Sequence, residues 1–246
     1  MRPHIAFDTV GNGPPIILVL GAFNTRDTGE PLAEALAPHH TVINYDRRGR
    51  GESGDDESYA VDREIEDLDA LIQRAGGSAA VLGFSSGAAL ALHAAASGLA
   101  ITKLVLVDLP LRAGGPPNDV DHAAALAELL RAGRRGDAVE YFQGRMVGIP
   151  APMIEQMRRA PFRPALEAMA HTLVYEAMIC GNGLVPLDEV RAARMPILAI
   201  AGGAAPPFMR QTAELVAREA QHGRAIIVEG LGHELSPALA ELLVEK

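Results

Sequence analysis

The chain has 246 residues, of which 48% are hydrophobic and 22% are charged, so it is long enough to bury one large core as a globular domain. Its formal net charge of −9 disfavours binding to nucleic-acid phosphates, and the basic cluster RRGR at residues 47–50 is interpreted as a local structural feature. A single cysteine, Cys180, excludes both an internal disulfide and a zinc site built from several cysteines.

The sequence carries no pattern typical of a signal peptide or of a membrane-spanning helix. The opening segment MRPHIAFDTVGNG lacks an apolar stretch followed by a small-residue cleavage site, and nowhere do 18 uncharged apolar residues run together. We therefore expect a soluble, cytoplasmic protein with no membrane partner and no nucleic-acid partner.

Short apolar runs alternate with helical patterns in the first 110 residues. The runs that predict buried strands are Pro15–Leu20, Thr41–Tyr45, Ala79–Leu82 and Leu104–Val107. Helices are predicted between them at Glu30–Leu36, Val61–Ala75 and Ser86–Ser97. This alternation predicts right-handed βαβ units, and so an α/β fold with a mostly parallel, doubly wound sheet that has helices on both faces.

The strand pattern stops at about residue 110 and resumes near residue 195. The intervening helices are predicted at Val120–Ala132, Asp137–Val147, Pro152–Arg159 and Pro164–Ile179. The last predicted elements are the strands Pro196–Ala201 and Arg224–Val228, with the helix Met209–Gln221 between them. We predict a core of residues 1–110 and 195–246, and a helical cap of residues 111–194 over the strand ends, where open α/β sheets bind ligands.

The segment GFSSG at residues 83–87 joins a predicted strand directly to a predicted helix. This is the setting that a G-x-S-x-G nucleophile elbow requires, and only Ser85 occupies the central position. Glycine-rich turns also occur in dinucleotide-binding folds, but the first strand-to-helix loop, GAFN at residues 21–24, lacks the G-x-G-x-x-G fingerprint. Ser85 is therefore the predicted nucleophile, and the main-chain N–H of Ser86, at the helix start, is a predicted oxyanion donor.

One of the eight histidines is placed to act as the base for this serine. His233 follows the last predicted strand in a glycine-flanked loop, from which it can reach back over the strand ends towards Ser85. Others precede a strand, lie within a helix or fall in the predicted cap, and we interpret them as structural: His39, His40, His93, His122 and His171.

These features resemble the α/β-hydrolase fold family along almost the whole chain. The segment DRRGRGES at residues 46–53 is similar to the family's D-x-R-G-x-G-x-S turn, and LGAF at residues 20–23 is similar to its oxyanion loop, with leucine at the usual histidine. The resemblance implies that the N–H groups of Ala22 and Ser86 together form an oxyanion hole.

The acid of the catalytic triad departs from the family's commonest pattern. Many members carry an aspartate in a G-x-x-D arrangement after the strand equivalent to Pro196–Ala201, where this chain reads GGAA at residues 202–205. Asp108, at the end of the preceding predicted strand, is the predicted substitute that orients His233, and the alternative is that it only caps its strand. Two other carboxylates rank lower, since one adjoins the histidine and one belongs to the structural turn: Glu234 and Asp46.

A serine in the elbow favours acyl transfer, whereas family members that form an alkyl-enzyme ester use aspartate there. We predict that the protein hydrolyses a small or medium ester, thioester or lactone, a small-molecule substrate, through an acyl-enzyme on Ser85, with no metal or organic cofactor. Because the usual acid is missing, two alternatives stay open. One is a non-hydrolytic enzyme on this scaffold, such as a cofactor-free perhydrolase of the haloperoxidase type, a lyase or a cyclase, and the other is a ligand-binding protein with a weakened triad.

Overall fold

A computed structural model, which describes residues 3–56 and 58–244, is organised around a seven-stranded sheet with the order β1-β3-β2-β4-β5-β6-β7. Strands β2 to β7 pair in parallel, and β1 pairs antiparallel with β3 at one edge. The strands are β1 (Phe7–Val10), β2 (Pro15–Val19), β3 (Thr41–Tyr45), β4 (Ala79–Phe84), β5 (Ile101–Val107), β6 (Ile197–Gly202) and β7 (Gly223–Val228). The predicted mostly parallel α/β sheet is thereby confirmed.

Helices cover both faces of this sheet. They are α1 (Arg26–Leu36), α2 (Val61–Arg74), α3 (Ser86–Ala96), α4 (His122–Arg131), α5 (Arg135–Tyr141), α6 (Ala151–Arg158), α7 (Arg163–Ala168), α8 (Leu173–Cys180), α9 (Leu187–Ala192), α10 (Pro207–Glu219) and α11 (Leu239–Val244). One face packs against α2, α3, α9 and α10, and the other against α1 and α11. Alternate residues of β2 enter the two apolar clusters, which explains why its sequence is continuously hydrophobic.

Helices α4, α5, α7 and α8 contribute to an apolar cluster that includes Leu126, Val139, Phe142 and Leu173. Ile179 at the end of α8, together with Val185 and Val190 after it, belongs to the main cluster of the sheet. The helical segment between β5 and β6 therefore has a small cluster of its own, against which Phe23 of the oxyanion loop also packs, and it joins the large core at both ends, through Leu111 and Val190.

Two predicted helices of this segment differ from the observed ones. The helix predicted at Asp137–Val147 starts as α5 and continues as a π-helical turn at Phe142–Val147. The prediction of one helix over Pro164–Ile179 is wrong, because α7 and α8 are separated by a short 3₁₀ turn at Ala170–Thr172. In that turn the Thr172 hydroxyl donates to the carbonyl of Met169 at 2.9 Å, a local bond that competes with regular helix.

The strand β1 was not predicted from the sequence. It is a four-residue edge strand whose last three residues are exposed, so it lacks the apolar run that marks the buried strands. Within residues 3–56 and 58–244, every helix is too short or too polar to traverse a lipid bilayer.

Candidate active site

The residues predicted to carry the chemistry lie at the carboxyl ends of neighbouring strands. Ala22 follows β2, Ser85 follows β4, Asp108 follows β5, and His233 lies in the loop after β7. The carboxyl ends of parallel strands lie at one edge of a sheet, which brings these distant parts of the chain together.

Ser85 occupies a sharp turn between β4 and α3, with φ 55° and ψ −129°. This positive φ is unusual for a residue with a side chain and stores local strain. The flanking glycines permit the turn, because a Cβ on Gly87 would lie 2.1 Å from the carbonyl oxygen of Val19, and one on Gly83 would lie 2.5 Å from the Cα of Ala88. The motif at residues 83–87 therefore has the backbone that a nucleophile elbow requires.

His233 lies between the serine and an aspartate. Its Nε2 is 3.2 Å from the Oγ of Ser85, and its Nδ1 is 3.1 Å from Oδ2 of Asp108. The imidazole also stacks on the ring of Phe84, with a centroid separation of 5.0 Å. When Nδ1–H donates to the carboxylate, the lone pair of Nε2 faces the serine hydroxyl, which is the arrangement a general base needs.

Asp108 is fully buried, and both of its carboxylate oxygens have partners. While Oδ2 faces His233, Oδ1 accepts the backbone N–H of Gly202 at 3.0 Å. Gly202 is the last residue of β6. After this strand, many family members carry the triad aspartate, whereas this chain has alanine at that place. The neighbouring strand thus contributes a main-chain donor that holds the Asp108 carboxylate.

The oxyanion loop packs closely against the elbow. A Cβ on Gly21 would lie 2.8 Å from the Cβ of Ser85 and 2.9 Å from the carbonyl oxygen of Phe84. The backbone N–H of the following residue, Ala22, donates to the Oγ of Ser86 at 3.1 Å. The sequence analysis considered only the backbone of Ser86, so this side-chain contact between the two predicted oxyanion residues is new.

The two lower-ranked carboxylates lie apart from this arrangement. Asp46 accepts the backbone N–H of Arg26 at 2.8 Å and its Nε at 3.0 Å, and it also accepts the N–H of Glu52. Glu234 is exposed to solvent. In the part of the chain that the structure describes, no group of three or more His, Cys, Asp or Glu side chains is arranged to hold a metal ion.

The basic cluster at residues 47–50 forms buried ion pairs beneath the oxyanion loop. Arg47 makes two bonds of 2.7 Å to Glu64, and Arg50 pairs with Glu176 of α8. Burial alone would raise the pKa of Glu64, but Arg47 outweighs it and holds that pKa below its usual value. The cluster is structural, as expected, but its link to Glu176 spans 126 positions and has no local signal in the sequence.

Comparisons with known proteins identify the family of this chain. The sequence profile of the Alpha/beta hydrolase family matches residues 16–244. A crystal structure of an alpha/beta hydrolase from Sphaerobacter thermophilus DSM 20745 is 48% identical, covers 98% of this chain and 95% of its own, and superposes with a TM-score of 0.91. The pimeloyl-[acyl-carrier protein] methyl ester esterase of Xanthomonas campestris pv. campestris (strain B100) is 26% identical over 92% of this chain and 90% of its own length.

A thermophilic esterase from Thermogutta terrifontis has the same fold at a lower sequence identity to this chain. That structure is 23% identical, covers 98% of this chain and 92% of its own, and has a TM-score of 0.74. The chain belongs to the alpha/beta hydrolase family, and it is an enzyme of that family.

Proposed function

We propose that the protein is a serine hydrolase that cleaves a small or medium carboxylic ester, thioester or lactone through an acyl-enzyme. The observation that carries the proposal is the continuous line of side chains from Ser85 through His233 to Asp108, with separations of 3.2 and 3.1 Å. Such a line supplies a nucleophile, a base and an acid that orients the base.

In the first half of the reaction, the Oγ of Ser85 attacks the substrate carbonyl carbon while Nε2 of His233 takes the hydroxyl proton. The carbonyl oxygen becomes an oxyanion, which the backbone N–H groups of Ala22 and Ser86 stabilise. The imidazolium then gives its proton to the leaving alcohol or thiol, and the acyl group stays on Ser85.

In the second half, water takes the place of the departed alcohol or thiol. His233 accepts a proton from this water, whose oxygen attacks the acyl carbon, and a second oxyanion forms in the same hole. Collapse of this intermediate returns the proton to Ser85 and releases the carboxylic acid. Asp108 stays ionised throughout and stabilises each imidazolium that forms.

The proposed cap, residues 111–194, supports an apolar acyl or alcohol group in the substrate. Phe142 of this segment lies edge-to-face against Phe23 of the oxyanion loop, with a centroid separation of 5.6 Å. Apolar side chains of this segment thus border the oxyanion loop, and an apolar border favours a hydrocarbon group over a charged one. The 26% identical relative is a methyl ester esterase, and cleavage of a methyl ester is also carboxylic ester chemistry.

A covalent probe tests the proposal directly. We expect a small fluorophosphonate to add one phosphonyl group to Ser85, located by peptide mass spectrometry, and the wild-type protein to hydrolyse p-nitrophenyl butyrate. The variant Ser85→Ala should lose both properties. A protein that binds ligands tightly but neither labels at Ser85 nor turns over esters would instead be a binding protein, and non-hydrolytic products from a labelled protein would indicate a lyase, cyclase or perhydrolase.

A further inference from the structure

The peptide unit between Gly21 and Ala22 is held at both of its ends. Its carbonyl oxygen accepts a hydrogen bond of 2.5 Å from Nη1 of Arg50, and its N–H, the proposed oxyanion donor, points to the Oγ of Ser86 at 3.1 Å. A peptide unit is planar and its C=O and N–H point in opposite directions, so a partner that fixes the carbonyl also fixes the direction of the N–H.

Arg50 is itself held in place by a carboxylate from the proposed cap. Its Nη2 donates to Oε1 of Glu176, and neither side chain of this pair has any exposed surface. A guanidinium presents its donors in a rigid, planar fork, so the bond to Glu176 aims another N–H of the same fork at the Gly21 carbonyl.

Arg47 makes the equivalent contact one residue earlier in the loop. Its Nη1 donates to the Leu20 carbonyl at 3.0 Å, and the same nitrogen lies 3.2 Å from Oε1 of Glu176. Two successive carbonyls of the oxyanion loop are thus bound by two buried guanidiniums that share one carboxylate. The side chain of Leu20 is buried in the apolar cluster and provides no polar anchor for the loop.

We infer that Arg50, held by Glu176, is a positioning residue for the oxyanion hole, which it serves by orienting and polarising the Gly21–Ala22 peptide. Hydrogen bonding to a peptide carbonyl strengthens the N–H of the same unit as a donor, and this effect is larger in a buried site. The inference rests on the proposed function, because an oxyanion must form for the orientation of Ala22 to matter.

Arg48 provides a matched control within the same turn. It is buried like Arg50, but it pairs with Asp67 at 2.8 Å and donates to the Arg63 carbonyl at 3.0 Å, so it is tied to α2 and not to the oxyanion loop. Loss of Arg48 therefore removes a buried ion pair from the same turn and leaves the contacts to Leu20 and Gly21 in place.

The experiment compares Arg50→Met, Arg48→Met and wild type in the hydrolysis of p-nitrophenyl butyrate. Arg50→Met should lower kcat by roughly 10- to 100-fold with KM changed less than about twofold, since the interaction is made in the transition state. Its affinity for a trifluoromethyl ketone, whose adduct with Ser85 carries an oxyanion, should fall in the same proportion. Arg48→Met should keep kcat within about threefold of wild type.

Arg50→Lys is the second variant, chosen in case the methionine variant fails to fold. Lysine keeps a positive charge beside Glu176, but an ammonium group lacks the fork that engages Glu176 and Gly21 together. We expect a thermal midpoint near that of wild type with kcat still reduced at unchanged KM. If kcat in Arg50→Lys and Arg50→Met matches that of Arg48→Met, the inference is overturned while the hydrolase proposal stands. If Ser85→Ala does not abolish wild-type turnover, the proposed function fails, and the inference fails with it.

Discussion

At the residue scale, Asp108 is the predicted acid of the triad, and its backbone conformation is unusual. Its backbone has a φ of 49°, a conformation that costs about 1–3 kcal/mol for a residue with a side chain. Two contacts offset this strain, since the carboxylate is bound by the Gly202 N–H and by His233. The strained turn directs the carboxylate of β5 towards a histidine that lies in a loop two strands away.

Asp108→Asn should lower kcat by roughly 10³- to 10⁴-fold, because a neutral amide no longer stabilises the imidazolium and can hold the wrong tautomer of His233. Steady-state hydrolysis of p-nitrophenyl butyrate measures the loss. Glu234→Gln is the control, since it removes an exposed charge next to the same histidine and should leave kcat within about twofold. An unchanged kcat in Asp108→Asn would remove Asp108 from the proposed triad.

The variant Ser86→Ala distinguishes the contribution of the Ser86 backbone N–H from that of its side-chain hydroxyl. The variant keeps the N–H of residue 86 and frees the Ala22 N–H from its bond to Oγ, so both proposed oxyanion donors remain. We expect kcat to stay within about tenfold of wild type, because only a positioning contact is lost and not a donor. A loss as deep as that of Ser85→Ala, measured in the same assay, would show that the hydroxyl is itself required.

At the scale of the elements, the elbow depends on the close approach of β2, β4 and α3. Gly87 lies at the contact between α3 and the backbone of β2, where no Cβ fits. A glycine at this position is required by the space available, because its neighbours are main-chain atoms of a central strand that cannot move independently.

Gly87→Ala should destabilise the protein by about 3 kcal/mol or more, since the new methyl group would overlap the Val19 carbonyl. Equilibrium urea unfolding measures the change. Gly114→Ala is the matched control, because a Cβ there meets nothing within 4 Å, and it should leave the free energy of unfolding almost unchanged. Equal effects of the two substitutions would contradict the close-approach explanation.

His93 connects three helices and makes their packing depend on pH. Its Nδ1 lies 2.7 Å from Glu189 of α9, and its Nε2 lies 3.0 Å from the Ile179 carbonyl of α8. Burial alone would lower the pKa of His93, but these two hydrogen bonds outweigh it and raise the pKa above 6.5. The stabilisation from the imidazolium is therefore fully present below the unfolded-state pKa and is lost as the pH rises through the folded-state pKa.

His93→Gln should therefore lower the free energy of unfolding more at acid than at alkaline pH. By linkage, the difference from wild type should be larger at about pH 5.5 and should shrink as the pH rises to about 9, where the imidazole is neutral in both states. His222→Gln, at an exposed position, should show no such trend. Urea titrations across this range measure both variants, and a difference that grows with pH would contradict the sign.

At the scale of the whole molecule, the helical segment between β5 and β6 is connected to the sheet by buried contacts as well as by the chain. Glu176 of α8 pairs with Arg47 and Arg50 of the core. Beside them, Tyr175 stacks on Tyr59 with a centroid separation of 3.8 Å. Removal of the Glu176 carboxylate would leave the buried guanidinium of Arg50 without its ion pair, which is costly, while Arg47 would keep its pair with Glu64.

We therefore expect the protein to unfold in one cooperative thermal transition, although helices α4, α5, α7 and α8 share an apolar cluster. Near-UV circular dichroism reports on the four tyrosines, two of which form the Tyr59–Tyr175 stack, and it is free of tryptophan signal because the chain has none. The thermal midpoint of the near-UV signal should coincide with that of the far-UV signal at 222 nm. Loss of the tyrosine signal at a lower temperature would show that this segment separates from the core first.

The sequence alone determined the features that depend on neighbouring residues. Alternating apolar runs and helical patterns predicted the parallel sheet, and the glycines around Ser85 predicted the strand–turn–helix, because both signals are local steric and burial patterns. The position of His233 after the last strand followed from the same pattern. The roles of Ser85 and His233 stay predictions that the proposed labelling and mutations test.

Only the tertiary structure decided which distant groups meet. It placed the Gly202 N–H on the carboxylate of Asp108, the residue that the sequence predicts as the partner of His233, set the Ser86 hydroxyl on the Ala22 N–H, and joined Arg50 to Glu176 across 126 positions. These contacts depend on the strand order, on the strained turn at Asp108 and on how α8 packs over the sheet. A single sequence holds no local signal for such contacts, because their energy comes from burial and hydrogen bonding that exist only once the chain has folded.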